Sequence, residues 1–581
     1  MKTETSQNTR NQEKKTDVWI KLFPLIFILG VLPLSVQLKI VETGLETSVW
    51  FPAQSKSADF FAWWRSRAFA AAAVWMAVVL VYRTWIQKKR WKLEKNWGFL
   101  ASYLFFVFIS TVFSEYKEIS WNGMVENYEG CVILLLYGFS FFYAAQVIEN
   151  NRERKVLFVA LAVGAFPQAL IGISQLAGND FWGSPLGNSL IAPGQSLSFR
   201  FAGSMENPVY MALYNPNYAA VFILLVLPVC FYLISCAKKK WQKWILGVEI
   251  VLLLCCLWGT GSRAGLFTGI ILLCVKILAK TVYKKRKKWP IITGILILSG
   301  LGIWMVYEKT GNISYKLQDI QITENGIELT SSSGKCTVNV KEYGKDGSLL
   351  FAKNDKGEKL FVEKESRTGR YVIQEKTFQD FSFETSKRDN ELFLILYYKK
   401  EPFTFVKKDN QEFTYENRFG KTDTIEKCTA LISDRYDQLL GSRVYIWNRL
   451  LPLLKNYIVK GSGPDTFAMV FPQNDYVGRV NAAKVMYEQV ITKPHDLYLQ
   501  TALQTGVLSL LCLLGFLGSS LKKLLKKESG IWKTLTFCIA GYLIMGLVND
   551  SMIVTAPVFW VLLGTGAGVD YEYGEELRNR K

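Results

Sequence analysis

The chain carries a single histidine, His495, set in Lys493-Pro494-His495-Asp496-Leu497-Tyr498-Leu499-Gln500 just ahead of a long apolar run. Imidazole titrates near neutral pH and can take up or release a proton under physiological conditions. At the start of an apolar run it sits where a membrane would meet water. Such a group is placed for general acid–base chemistry; an inert interfacial polar residue is the competing reading.

Three arginines have positions suited to anion recognition. Gly259-Thr260-Gly261-Ser262-Arg263-Ala264-Gly265 joins two apolar runs by a connection too short to leave the membrane surface. A cation held there is costly without a partner, and the flanking glycines allow a ligand to approach the backbone closely. The guanidinium of Arg263 suits a pyrophosphate, which it can grip with two hydrogen bonds; snorkelling toward headgroups is the alternative. Arg200 is the only basic residue of the stretch 178–215, which runs into Asn215-Pro216-Asn217. Its isolation points to a specific anionic partner, against an idle surface position. Arg443 opens Arg443-Val444-Tyr445-Ile446-Trp447-Asn448-Arg449-Leu450-Leu451-Pro452-Leu453-Leu454, whose helical spacing suits a helix lying on a membrane face. Glu249 and Lys276 stand at matched distances from Arg263, on the two runs that it joins, and are expected to pair.

The elements that position these residues are apolar runs of membrane-spanning length. Half of the chain is hydrophobic, with 18 Trp, 27 Tyr and 37 Phe among 581 residues. About twelve spans of the length a transmembrane helix needs are predicted: 18–38, 68–86, 97–114, 131–148, 155–177, 216–236, 244–261, 264–283, 290–307, 496–521, 531–548 and 551–568. The formal charge of +20 resides in every second connection, namely Arg83 to Lys95, Arg152 to Lys155, Lys238 to Lys243, Lys284 to Lys288 and Lys522 to Lys527. That is a topology signal, which puts both termini in the cytoplasm and the long polar segments outside; nucleic-acid binding is not expected. No metal site is expected either, because the cysteines lack ligand spacing and one histidine cannot build a typical zinc centre.

Between 308 and 435 the composition turns polar, with strand signals at Cys336–Val340, Leu360–Val362, Leu392–Tyr398 and Phe403–Val406 separated by Asp346-Gly347 and Asp355-Lys356-Gly357. An inserted extracellular all-β domain, most simply a sandwich, is predicted. Its Cys336 and Cys428 are the only cysteines away from the spans, and an external pair is expected to lie within bridging reach. The resulting plan is a cytoplasmic tail at 1–17, transmembrane helices over 18–307 with an external loop at 178–215, and the β-rich insertion at 308–435. A helical external region at 436–495, further spans over 496–568 and a cytoplasmic tail at 569–581 complete it.

Taken in order, Arg200 with Asn215-Pro216-Asn217, Thr260-Gly261-Ser262-Arg263-Ala264-Gly265, Arg443 with Trp447 ahead of Gly461-Ser462-Gly463, and His495 ahead of Gln504-Thr505-Gly506 resemble the O-antigen ligase and O-antigen polymerase superfamily of membrane glycosyltransferases. The resemblance spans roughly 155–570 and leaves out the β insertion. Family members usually carry His-Asn where this chain has His495-Asp496. The resemblance implies an all-α polytopic membrane protein of the type C glycosyltransferase kind in the cell membrane. It would work without metal, nucleotide sugar or other cofactor. The donor would be a glycan on undecaprenyl pyrophosphate, and the acceptor a glycan, a lipid or a protein. Arg263 and Arg200, helped by Arg443, would hold the pyrophosphate, and His495 would be the general base. A protein O-oligosaccharyltransferase, a flippase for lipid-linked oligosaccharides and a receptor with the β domain as sensor are the alternatives.

Overall fold

The computed structural model describes residues 17–195, 208–285, 317–343, 347–388, 391–408 and 411–568. Its principal helices are α1 (Asp17–Leu34), α2 (Trp63–Ile86), α3 (Trp97–Val112), α4 (Cys131–Val147), α5 (Asn151–Leu176), α6 (Pro216–Cys236), α7 (Lys240–Gly259), α8 (Arg263–Lys285), α9 (Leu439–Leu453), α10 (Leu497–Thr505), α11 (Val507–Leu525), α12 (Gly530–Met545) and α13 (Ala556–Ala567). Of these, α1, α2, α5, α6, α7 and α11 are long and apolar enough to cross a membrane, and α3, α4, α12 and α13 are apolar but shorter. The chain is therefore built as a membrane protein. The predicted run 290–307 lies outside the described residues, and the run 496–521 is two helices, not one. Gly506, in the left-handed region at φ 106°, breaks it, and Val507 turns its N–H to the Tyr457 carbonyl at 3.1 Å.

Aromatic packing fuses α4, α11 and α13: Trp560 stacks with Tyr137 and with Phe516, each at 6.3 Å between ring centroids, and Phe516 meets Phe141 edge-on at 4.9 Å. Irregular backbone inside such a bundle must find hydrogen bonds in the protein. The segment leading into α6 finds them in side chains. Gln175 Oε1 accepts from the N–H groups of Tyr210 and Met211 at 3.1 and 2.7 Å. Gln168 Oε1 accepts from Ala212 at 2.9 Å, and buried Arg65 donates to the carbonyls of Leu32, Phe61, Pro33 and Ala212. This lattice fixes the Asn215-Pro216-Asn217 turn. Asn215 caps α6 through Asn217 N–H at 2.8 Å, with Pro216 in the first helical position.

The insertion is an antiparallel sandwich, as its alternation predicts. The strands from Leu317 to Leu360 form one five-stranded meander, and those from Val362 to Asp423 a second of seven strands. Strand Glu391–Tyr398 alternates strictly, with Leu392, Leu394, Leu396 and Tyr398 inward. Leu360-Phe361-Val362 is not one strand: the chain crosses between sheets there, leaving Phe361 exposed. Two expected pairings fail. Glu249 is buried beside Cys230, while Lys276 lies over the Phe231 ring at 5.1 Å and forms no ion pair with Glu249. Cys336 and Cys428 are both free. Cys336 is sealed in the sandwich core opposite Leu329 and Asn354, whereas Cys428 lies beside Arg449 and Asp475.

Candidate functional site

His495 occupies a tight turn between Pro494 and α10, in the left-handed region at φ 54°. Three local contacts hold the turn. Trp447 on α9 donates from Nε1 to the Pro494 carbonyl at 2.9 Å, and the Leu497 N–H reaches the Gly546 carbonyl at 2.8 Å. Asp496 caps α10 by accepting from the Leu499 N–H at 2.7 Å. Asparagine and aspartate serve equally well at that position, so an asparagine in place of Asp496 would leave the helix cap standing.

The imidazole is not alone. Its Nδ1 lies 3.0 Å from Oδ2 of Asp550, whose side chain is fully buried, while the histidine side chain is 41% exposed. Asp550 belongs to the hairpin between α12 and α13. Burial works against its charge, but His495 and Lys493 hold its carboxyl below the usual range. The second carboxylate oxygen, Oδ1, is buried and has no hydrogen-bond partner. With Nδ1 engaged by a carboxylate, the ring's tautomer and orientation are fixed, an arrangement able to serve a general base at the other ring nitrogen.

His495 lines a cleft of about 530 Å³ whose walls include Asn215, Tyr218, Glu126, Lys493 and the loop from Thr43 to Ser57. Lys493 is nearly buried, with its Nζ 3.5 Å from the Tyr218 hydroxyl and above the Tyr218 ring. Arg443 stands in the field of Asp550 and Tyr218. Burial pulls its pKa down against those partners, and its Nε is buried without a hydrogen bond. Behind the dyad, Ser551 donates to Glu129 Oε1 at 2.9 Å, which also accepts from Tyr137 at 2.6 Å. Burial pushes the Glu129 carboxyl up to about 7, against these hydrogen bonds and Lys493.

The structure thus brings His495 and Arg443 together with the Asn215 turn. Arg263 stands one step away. It is exposed and opens α8, and its neighbour Ser262 donates to Asn217 Oδ1 at 2.8 Å, joining the two turns. Gly265 serves helix contact and not ligand approach: a Cβ there would lie 2.6 Å from that of Ala220. Arg200 lies outside the described residues. The Gly461-Ser462-Gly463 motif is a structural clamp. Ser462 and Gly463 donate to the carbonyls of Leu503 and Gln504 at 2.9 Å each, and Ser114 donates to the Ser462 carbonyl at 2.6 Å.

Asp550, Lys493 and Tyr218 escaped the sequence reading. The signal for Asp550 was present, since Asn549-Asp550 alone separates the runs 531–548 and 551–568. Among the described residues no cluster of three His, Cys, Asp or Glu side chains is arranged to hold a metal ion. Arg449 closes on Asp437 at 2.5 Å and Asp475 at 3.0 Å and so ties α9 in place. No protein-family model matches the chain, and no curated protein matches it.

Proposed function

We propose that the chain is a membrane glycosyltransferase of the O-antigen ligase and polymerase kind, moving glycan from an undecaprenyl-pyrophosphate carrier to an acceptor hydroxyl at the outer membrane face. The observation that carries this reading is the His495–Asp550 pair, a half-exposed imidazole on a buried carboxylate, opening on a polar cleft with Lys493 and Arg443 close by. In the proposed reaction the free ring nitrogen of His495 takes the proton of the acceptor hydroxyl. The oxygen attacks the anomeric carbon, and the bond from that carbon to the pyrophosphate oxygen breaks with inversion. The electron pair leaves on the carrier pyrophosphate, where cations stabilise it. Asp550 stabilises the imidazolium until the proton passes to water. Lys493, on the cleft wall, and Arg443, in the field of Asp550, are two cations beside the dyad, and Arg263 and Arg200 are proposed to complete the pyrophosphate grip. The basic connections support a topology with both termini cytoplasmic and the β insertion outside.

The test is glycan transfer from a purified undecaprenyl-linked donor. His495→Ala is expected to fold normally and to lose roughly 10²–10⁴-fold in rate. Arg263→Lys, which keeps the charge and loses the two-pronged grip, is expected to be severely impaired. Transfer by His495→Ala at the wild-type rate would rule out the general-base assignment. A flippase reading predicts instead that carrier translocation, measured in vesicles, is insensitive to His495.

A further inference from the structure

A second polar cavity, of about 320 Å³, lies at the opposite end of the bundle, where α2 finishes and α5 begins. Arg83, Thr84, Lys89, Arg90, Lys92, Gln146 and Glu149 line it. The final turn of α2, Tyr82–Ile86, is a π-helical turn, closed by Gln87 N–H to the Tyr82 carbonyl at 3.2 Å. Such widened turns recur at functional sites, and this one sets Arg83 inward, only 5% exposed. Arg83 Nη2 meets Glu149 at 2.8 Å, while Nη1 is buried with no hydrogen-bond partner.

Charge in the cavity is unbalanced. Glu149 is the only carboxylate in its lining, and Lys21 and Lys89 claim it as well as Arg83, at 3.1 and 2.5 Å. Burial works against its charge, yet those three cations hold its carboxyl down at about 2, so it remains a single fixed negative charge. Arg90 lines the cavity as well and adds to the positive excess. The strap that carries it is held in place, because Gln146 both accepts from the Lys92 N–H at 3.0 Å and donates to its carbonyl at 2.9 Å. Around the mouth, Trp85, Ile86, Trp91 and Leu93 are exposed, the amphipathic and apolar side chains that settle at a bilayer's interface.

We propose that this cavity binds the phosphodiester headgroup of an anionic phospholipid, in the leaflet opposite the His495 cleft. The buried guanidinium supplies a directional donor, the strap cations supply the field, and the apolar rim receives the acyl chains. Basic pockets between membrane helices at this level suit such headgroups. A soluble phosphate shares the chemistry of the cations and lacks the use of the rim.

The experiment is thermal unfolding of the full chain, purified in a neutral detergent, titrated with phosphatidylglycerol, phosphatidylcholine or sodium phosphate. Phosphatidylglycerol is expected to raise the unfolding midpoint, and the other two are not. The concentration for half the effect is expected to rise about fivefold for each cation removed, in Arg90→Gln and then in Lys89→Gln/Arg90→Gln. Arg90 lies on the exposed strap, so Arg90→Gln tests binding and not folding; Lys89→Gln also removes one of the three cations on Glu149, and Arg83→Gln, which removes the buried one of the α2 turn, is the more severe companion. Equal responses to the two lipids, or an unchanged phosphatidylglycerol response in the double variant, would overturn the site. An equal response to inorganic phosphate would overturn its assignment to a lipid.

Discussion

His495 and Asp550 divide their labour by exposure: one is reached from the cleft, the other is sealed behind it. Asp550→Asn keeps the shape and removes the charge that fixes the ring and stabilises its protonated form. Under the proposed function a rate loss approaching that of His495→Ala is expected, with substrate affinity little changed, read from kcat and KM separately. An effect on KM alone would make Asp550 a wall of the cleft and not a partner of the base. Glu129 yields a prediction about pH. Its folded pKa of about 7 lies above the unfolded value near 4.5, so the stability it contributes is full below about pH 4.5 and is lost as pH rises through about 7. Glu129→Gln keeps an oxygen for Tyr137 and Ser551 and cannot ionise. It is expected to flatten the decline in unfolding free energy between about pH 5 and pH 8, by a few kcal/mol at most. A decline of unchanged slope would assign the titration to another group. At this scale the rarest type was legible, because a single imidazole stands out in any composition. Asp550 marks the break between two apolar runs, but only the fold brings it against His495.

Among the elements, strand alternation, caps and apolar runs could be read directly, because each is written in neighbouring residues. What failed were features set by backbone angles or by azimuth. Hydropathy averaged over 496–521 smooths over Gln504-Thr505-Gly506 and carries no information about the positive φ that splits α10 from α11. Glu249 lies fourteen residues before Arg263 and Lys276 thirteen after it, but similar depth does not give equal facing. At about 100° per residue, one residue's difference in spacing turns a side chain away from its intended partner, and the two point into different surroundings. Gly461 shows the reverse case, a short motif that looked functional and is packing. A Cβ there would meet the Gln504 carbonyl oxygen at 2.0 Å and the Thr505 nitrogen at 2.4 Å, both backbone atoms that cannot swing aside. Gly461→Ala is therefore expected to destabilise by about 1–3 kcal/mol through forced displacement of α10, measured by chemical unfolding. Asp496→Ala is expected to cost about 1 kcal/mol through loss of the cap, and Asp496→Asn much less. If Asp496→Asn and Asp496→Ala were equally unstable, the cap would not be the residue's role.

At the scale of the molecule, the β insertion was legible as a domain but not as a neighbour of the site, and its contacts give it a place there. Asp423, on its last strand, accepts from Trp50 Nε1 at 3.2 Å and from the Tyr476 hydroxyl at 2.5 Å. Lys421 donates to the carbonyls of Glu46 and Ser48 at 2.6 and 2.7 Å, and Asn417 to that of Val49 at 2.9 Å. Tyr476 and Tyr487 enter the sandwich core itself. The segments so gripped continue into residues that line the cleft, Leu45, Phe51 and Pro52 on one wall and Met486, Gln489 and Val490 on the other. The sandwich is thus a brace for two walls that face His495, and not a spacer joined only at its ends. A brace governs where substrate rests more than how the proton moves. Asp423→Ala releases Trp50 and Tyr476 together while leaving His495, Asp550 and Arg443 untouched. Under the proposed function it is expected to raise the KM for glycan transfer severalfold with kcat largely kept. Trp50→Phe and Asp423→Ala, combined in a double-mutant cycle on stability, should show a coupling of about 0.5–3 kcal/mol, as for residues in direct contact. A coupling near zero, together with unchanged KM, would return the insertion to the role of an independent appendage.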